Sequence, residues 1–215
     1  MTYKHSNLKK KAKALLYVGN LWCISEGMFG PLFAVFAERI GGSILEISGA
    51  WAVYLVATGI MMLFVGKISD KYVKKEALLL MGYALNTIFT FGYLLVHSST
   101  GLLLLQLGLA AATSLSTSTW DALYAKYTRK SKGGYAWGLA HGQASVLTGM
   151  AMLLGGAIAN YISFDSLFVF MGAIQMVGTV LLFTTFKESL AASITIKNLP
   201  KPLAVNPTML DLNQK

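Results

Sequence analysis

Six runs of about 20 apolar residues, nearly free of charge, constrain the fold of this chain more than any other feature. Each run is long enough to cross a bilayer as a helix. Helix is required there, because backbone polar groups inside hydrocarbon must find partners within their own segment, and the runs are about twice as long as barrel strands. The predicted spans cover residues 15–37, 45–65, 77–96, 102–123, 135–159 and 167–186.

The composition agrees with an all-α membrane protein. Charged residues make up 13% of the chain, against roughly 25% in a soluble domain. We predict a basic cytoplasmic segment at residues 1–13, a six-helix bundle at 14–187 and a polar, disordered tail at 188–215. The single cysteine, Cys23, excludes a disulfide framework.

The basic residues predict the orientation of the bundle. All of the 18 lysines and arginines except Arg39 lie in the two termini or in the second and fourth connections. Such an excess marks the cytoplasmic side of a membrane. We therefore expect both termini in the cytoplasm of a multi-pass protein of the inner cell membrane, and we attribute the net charge of +9 to topology rather than to nucleic-acid binding.

The six spans divide into two sets of three. The first and fourth hold Glu26 and a hydroxyl-rich stripe, the second and fifth are rich in small residues, and the third and sixth each hold one amide, Asn86 and Gln175. This pattern favours two three-helix inverted repeats, an arrangement known in transporters.

The segment Gly66–Lys75 is the most charged connection and is predicted to be a tight loop. It resembles the loop between the second and third helices of the major facilitator superfamily: a glycine, an aspartate four residues later, and basic residues around it. Val73 stands where that family usually has a second glycine. The Gly41–Ser43 turn is similar to the family as well. The matching residues of the loop are Gly66, Asp70, Lys71, Lys74 and Lys75.

The resemblance covers about residues 12–188 and implies a secondary transporter for a small organic solute, working by alternating access in symport or antiport. Family members usually carry two six-helix halves, so a half-sized chain would need a second half. We expect a parallel homodimer, with a heterodimer as the alternative. The resemblance also implies that Asp70 and the lysines latch one transport state, with Asp121 as a partner of Lys71 or Lys74. The plain alternative is helix capping and topology.

Glu26 is the most informative single residue, because a carboxylate at the centre of a span costs about 2.5–3.5 kcal/mol on insertion scales. Trp22, Cys23 and small residues share its helix face. We expect it to bind substrate or a coupling proton in a cavity. The alternative is a buried carboxyl that only hydrogen-bonds to another helix.

Two further polar sets leave alternatives open. Gln106, Thr113, Thr117 and Asp121 form a stripe on the fourth span that either lines the cavity or bridges helices. His141 either forms a relay with Asp121 or is an ordinary interfacial histidine. The first, fourth and fifth helices, either alone or together with the second, are expected to line the cavity.

A row of small residues along the fifth span predicts close helix packing rather than a ligand site. The row comprises Gly138, Gly142, Ser145, Gly149 and Gly156.

No catalytic set, phosphate-binding glycine loop or pair of metal ligands is visible in the sequence. We therefore expect no enzyme activity, no cofactor and no metal. The alternative function is that of a non-transporting accessory or sensor protein with the same half fold. A truncated gene product is a third possibility.

Overall fold

The computed structural model describes residues 2–71, 74–128 and 133–197, and side chains over residues 10–70, 74–128 and 133–188. This part of the chain is entirely helical and contains six helical segments long and apolar enough to cross a membrane, which confirms the all-α membrane class. The α-helices are α1 (Thr2–Phe29), α2 (Phe33–Arg39), α3 (Ile44–Lys71), α4 (Lys75–Gly92), α5 (Ser99–Tyr127), α6 (Gly133–Tyr161) and α7 (Phe164–Lys197).

The first span consists of two helices because Pro31 interrupts it. A 3₁₀ turn, Gly30–Leu32, separates α1 from α2. Proline has no N–H to donate to the preceding turn, so the α-helical hydrogen-bond ladder is broken at this point. Gly41 then ends α2 with φ at 87°, a left-handed conformation that favours glycine.

Polar residues cap the helices that follow the turns at the far end of the bundle from the N-terminus. Ser43 and Glu46 form a capping box at the start of α3, in which the Glu46 Oε2 accepts hydrogen bonds from the Ser43 N–H at 2.8 Å and from its hydroxyl at 2.9 Å. Ser98 accepts a hydrogen bond from the Gly101 N–H at the start of α5. These caps satisfy backbone donors that a helix terminus leaves without partners.

The structure corrects two predicted boundaries. Most of the segment Gly66–Lys75 is not a loop, because α3 continues to Lys71 and α4 begins at Lys75; Val73 lies outside the described residues. The predicted disordered tail is helical over residues 188–197, since α7 continues to Lys197. In both places a helix extends beyond its apolar run, because charged side chains are compatible with helix once the chain leaves the hydrocarbon.

Five pairs of helices make the main contacts: α3 with α5, α5 with α4, α4 with α7, α7 with α1, and α1 with α6. The spans therefore follow one another around an arc, and α3 and α6 lie at its two ends.

Two glycines allow the closest approaches between the backbones of neighbouring helices. A Cβ at Gly82 would lie 2.6 Å from the backbone nitrogen of Ser116 on α5, and a Cβ at Gly155 would lie 2.0 Å from the carbonyl oxygen of Met28 on α1.

The two end helices of the arc are the least buried. In the most apolar part of their spans, 17% of α3 and 11% of α6 is buried, against 39–44% in the other four spans. The apolar core thus lies among α1, α4, α5 and α7. Near the far end of the bundle it is built from aromatic rings, among them Phe29, Tyr93 and Phe168, whose centroids lie 4.9–5.2 Å apart.

Candidate functional site

A cavity of about 300 Å³ opens beside Glu26, between the two ends of the arc. We call it the Glu26 cavity. It is lined from α1, α3, α5 and α6, and by one residue that follows α4. The lining therefore includes the first, fourth and fifth spans expected from the sequence, and the second and third as well. Besides Glu26 and Trp22, the lining includes Trp51, Tyr54, Tyr93, Gln106, Thr113 and Thr148.

Two amides hold the carboxylate of Glu26 in place. The Asn86 Nδ2 donates a hydrogen bond to the Glu26 Oε1 at 3.1 Å, and the Gln175 Nε2 donates to the same oxygen at 3.0 Å. The Thr90 hydroxyl donates in turn to the Gln175 Oε1 at 2.8 Å. We call Glu26, Asn86, Thr90 and Gln175 the polar seam, because they join α1, α4 and α7 through the middle of the bundle.

The two alternatives for Glu26 therefore coexist. Its carboxylate is hydrogen-bonded to other helices, and it also lines a cavity. Both amide donors use Oε1, so Oε2 accepts no hydrogen bond from the described residues. The Glu26 Oε2 is the oxygen that remains available to a ligand or a proton.

The lining hydroxyls and amides are themselves positioned by hydrogen bonds. The Tyr54 hydroxyl donates to the Thr113 Oγ1 at 3.3 Å, which joins α3 to α5. The Tyr93 hydroxyl donates to the Gln106 Oε1 at 3.2 Å. The Gln106 Nε2 is buried and has no hydrogen-bond partner among the described residues. An unpaired buried amide N–H is costly, so this group is a candidate donor to a ligand or a water molecule.

A second cavity, of about 170 Å³, lies nearer the end of the bundle that holds the N-terminus. We call it the His141 cavity; Thr117 and Trp120 also line it. Trp22 and Cys23 line both cavities and thus lie between them. The Trp22 ring packs against Tyr83 with centroids 4.7 Å apart. The structure therefore separates the predicted site residues into two groups, with Glu26, Gln106 and Thr113 in one cavity and Thr117 and His141 in the other.

The His141 cavity opens on a surface that carries polar groups within the spans. Asn20 donates a hydrogen bond to Gln143 at 3.2 Å, and His141 stacks on Trp137 with centroids 5.6 Å apart. Asp121 is exposed, and no hydrogen bond or ion pair joins it to His141 among the described residues. We call Asn20, Asp121, His141 and Gln143 the open face. It lies on α1, α5 and α6.

At the end of the bundle that holds the N-terminus, Asp70 pairs with Lys75 across the connection between α3 and α4. The structure does not bring Asp121 to Lys74, and the side chain of Lys71 lies outside the described ones. In the structure the partner of Asp70 is therefore Lys75, at the start of the next helix, α4. This contact is compatible with a latch and also with the plain structural role.

Sequence reasoning missed a buried carboxylate next to this pair. Glu76 is 9% exposed and accepts a hydrogen bond from the Tyr127 hydroxyl at 2.9 Å, with the Lys126 Nζ at 3.6 Å. These contacts tie the start of α4 to the end of α5. The sequence contained a signal for this site: Glu76 is an acidic residue at the start of an apolar run, next to a basic connection.

The predicted close packing at the small residues of α6 is not found within this bundle. A Cβ at Gly138, Gly142, Gly149 or Gly156 would meet nothing within 4 Å, and Ser145 is exposed. The reason is the rotation of α6 about its own axis. The glycine that faces α1 is Gly155, one position before Gly156. Trp51, Tyr54 and Tyr93 were also missed as cavity residues. Trp51 and Tyr93 lie towards span ends, where aromatic residues are usual in the interfacial belt, and Tyr54 lies at the middle of its predicted span, where an aromatic ring is also compatible with plain helix packing.

Comparison with known proteins places the chain in a family. The family model of the Major Facilitator Superfamily matches residues 15–209. An uncharacterised MFS-type transporter of Methanocaldococcus jannaschii is 21% identical over 162 residues, which is 75% of this chain and 42% of that protein. The match thus covers less than half the length of that relative. Because the family model covers most of the chain, and the six helical spans agree with it, this protein belongs to the Major Facilitator Superfamily.

Proposed function

We propose that this chain is one half of a secondary transporter or facilitator of a small organic solute, which works by alternating access together with a second six-helix half. Membership of the family supports transport. The observation that carries the need for a second half is the open face, where Asp121, His141 and Gln143 are exposed within the spans. Polar and ionisable groups in spans almost always face protein or a water-filled cavity rather than lipid.

The second half is either another copy of the chain or a different six-helix unit. A parallel arrangement about an axis along the membrane normal is proposed because the two halves of such transporters are related in this way. The Glu26 cavity is lined by both α3 and α6, the least buried spans, and the His141 cavity is lined by α6 together with α1, α4 and α5. Two bundles that face each other on this side would cover the open face and enclose the cavities. The glycine row of α6 would then supply a close contact between halves instead of within one.

The pairing of helices supports the proposed inverted repeats. Exchanging the first three spans for the last three replaces α1 with α5, α3 with α6 and α4 with α7, and the reverse. Under this exchange, the contact of α1 with α6 becomes that of α5 with α3. The contact of α1 with α7 likewise becomes that of α5 with α4, and the contact of α4 with α7 is unchanged. All five main contacts thus persist under the exchange. The distribution of lysines supports cytoplasmic termini in the inner cell membrane.

Cys23 gives a direct test of alternating access, because it is the only cysteine of the chain and lines both cavities. The protein is reconstituted into vesicles and treated with a membrane-impermeant maleimide from either side. We expect labelling of Cys23 from both sides, together with paired bundles by single-molecule photobleaching. Access from one side only, in a strictly monomeric protein, would contradict the proposal and favour an accessory or sensor role.

The proposed latch has a separate test in Asp70→Asn. The Asp70–Lys75 pair is largely exposed on the aspartate side, and exposed ion pairs contribute about 0–1 kcal/mol. We expect membrane insertion and thermal stability to be nearly unchanged, while the exchange of Cys23 access between the two sides slows about tenfold. Unchanged exchange would mean that Asp70 has only a capping or topology role.

A further inference from the structure

We propose that the Glu26 cavity binds a small organic cation, a positively charged nitrogen centre surrounded by apolar groups. This inference rests on the proposed function, because it names the class of solute that the same site would carry. It depends on three features of the cavity: its charge, the free carboxylate oxygen and its aromatic walls.

The cavity lining carries negative charge without a compensating positive charge among the described residues. Among the described residues that line the cavity, Glu26 is the only carboxylate, and none is a lysine, arginine or histidine. Its hydrogen bonds come from the neutral amides Asn86 and Gln175. The protein therefore orients the carboxylate without neutralising it. Because a charge inside a membrane protein requires a partner, a cationic ligand is favoured at this site and an anionic one is opposed.

The hydrogen-bond geometry leaves one contact point for that cation. Asn86 and Gln175 both bind the Glu26 Oε1, from α4 and α7 respectively. These donors hold the carboxylate in a defined orientation, with Oε2 as the oxygen that has no partner among the described residues. Asn86 and Gln175 are positioning residues in this arrangement. They lie behind the carboxylate, 0% and 2% exposed, and do not line the cavity themselves.

Aromatic rings form much of the remaining wall. Trp51 and Tyr54 come from α3, with ring centroids 5.5 Å apart, and Tyr93 packs against Phe29 at 4.9 Å. A cation over an aromatic face is attracted by the ring quadrupole, and aromatic cages recognise quaternary ammonium groups in this way. The same faces bind the apolar groups that surround the charge. One acid among several aromatic rings is thus better suited to an organic cation than to a sugar or a metal ion.

The size of the cavity limits the ligand. At about 300 Å³ it is at the lower end of the range for small-molecule sites. Benzyltrimethylammonium is therefore a suitable probe. Phenylmethanesulfonate is its matched control, because it has the same benzyl group and a tetrahedral head of opposite charge.

The experiment measures the binding of both probes to the full chain in lipid nanodiscs. Tryptophan fluorescence gives the affinity. Protection of Cys23 from a maleimide reports occupancy of either cavity, because Cys23 lines both, and loss of that protection in Glu26→Gln assigns the bound cation to the Glu26 cavity. We expect the cation to bind at least tenfold more tightly than the anion. Glu26→Gln should weaken cation binding at least tenfold. Glu38→Gln, which removes an exposed acid outside the cavity, should leave it unchanged.

Equal affinity for the two probes, or unchanged cation binding by Glu26→Gln, would overturn the proposal. Should Glu26→Gln not yield folded protein, the preference of the wild-type protein and the variant Trp51→Leu decide the question. Trp51→Leu is expected to weaken the cation at least threefold and to leave the anion unaffected. If Trp51→Leu weakened the binding of both probes equally, Trp51 would not favour the cation, and the proposal would be overturned.

The outcome is distinguishable from failure of the proposed function. Alternating access at Cys23 without a preference for the cation would remove the substrate class and leave the transport proposal intact. Cation binding with access from one side only, in a monomer, would remove the transport proposal and leave a cation-binding site.

Discussion

The polar seam and the open face both place polar groups inside membrane spans, but the seam finds most of its hydrogen-bond partners within the described part of the chain. In the seam, Asn86 and Gln175 are buried and converge on Glu26. On the open face, Asp121 and His141 are exposed, and no hydrogen bond or ion pair joins them among the described residues. Among those residues the bundle thus supplies partners for most of the seam, apart from the Asn86 Oδ1 and the Glu26 Oε2, and leaves the open face at its surface.

This difference separates two roles for polar residues in the same membrane protein. The seam fixes the relative positions of α1, α4 and α7 and orients one carboxylate towards a cavity. The open face contributes little to the packing of the bundle, so its polar groups are free to serve contacts with a second half or with water. The comparison predicts that seam residues control stability and that face residues do not.

The largest effect on stability is expected from a glycine substitution on the side of α6 that faces α1. Gly155→Ala would bring a Cβ to 2.0 Å from the Met28 carbonyl oxygen, and overpacking of this kind costs about 1–3 kcal/mol or more. We expect a clear fall in the thermal unfolding temperature of the detergent-solubilised protein.

Gly149→Ala is the matched control, because a Cβ there meets nothing within 4 Å. In a detergent that separates the protein into single bundles, it should leave the unfolding temperature unchanged or raise it slightly, since alanine is favoured over glycine in a helix by up to about 1 kcal/mol. Equal losses for the two variants would mean that the distinction between the inner and open sides of α6 is wrong.

An intermediate effect is expected from replacing one glutamine in each region. Gln175→Leu removes a donor to Glu26 and the acceptor of Thr90, so a buried charged group loses a hydrogen bond at a cost of about 1.5–3 kcal/mol. Gln143→Leu removes only the hydrogen bond from Asn20, and hydrogen bonds between membrane helices average about 0.6 kcal/mol.

Chemical denaturation of the two glutamine variants in the same detergent measures this difference. A smaller loss for Gln175→Leu than for Gln143→Leu would contradict the assignment of the seam as the structural element.

The smallest effect is expected from His141→Ala. His141 is exposed and stacks on Trp137 at the surface of the bundle, and exposed substitutions usually change stability by less than about 0.5 kcal/mol. The unfolding temperature should therefore remain within about two degrees of the wild type, as judged from typical scaling for a domain of this size. A fall comparable to that of Gln175→Leu would show that the open face is part of the internal packing.

Much of the fold could be predicted from the sequence because the constraint is strong and local. Runs such as residues 77–96 must form helices wherever they lie within a bilayer. The helix ends at Lys71 and Lys197 were missed for the complementary reason. Outside the hydrocarbon a polar segment can be helix or coil, and its neighbours decide which.

The candidate site could be predicted only in part. A carboxylate in the middle of a span is conspicuous, so Glu26 could be predicted as a candidate site residue, and it lines the Glu26 cavity. Tyr54 and Tyr93 were missed, because nothing local in the sequence distinguishes an aromatic ring that lines a cavity from one that packs against a neighbouring helix or lies at the membrane interface. The rotation of α6 that turns Gly155 inward and Gly149 outward was also not visible, since glycines lie on several faces of that helix.

The sequence by itself determined the number of helical spans and the presence of an isolated acid within the first of them. The reason is the hydrophobic effect, which acts on each segment independently of the others. Only the tertiary structure decided the partners of that acid. Asn86 and Gln175 are 60 and 149 residues away from Glu26 along the chain, and the packing of α1 against α4 and α7 brings their amides to the same carboxylate oxygen.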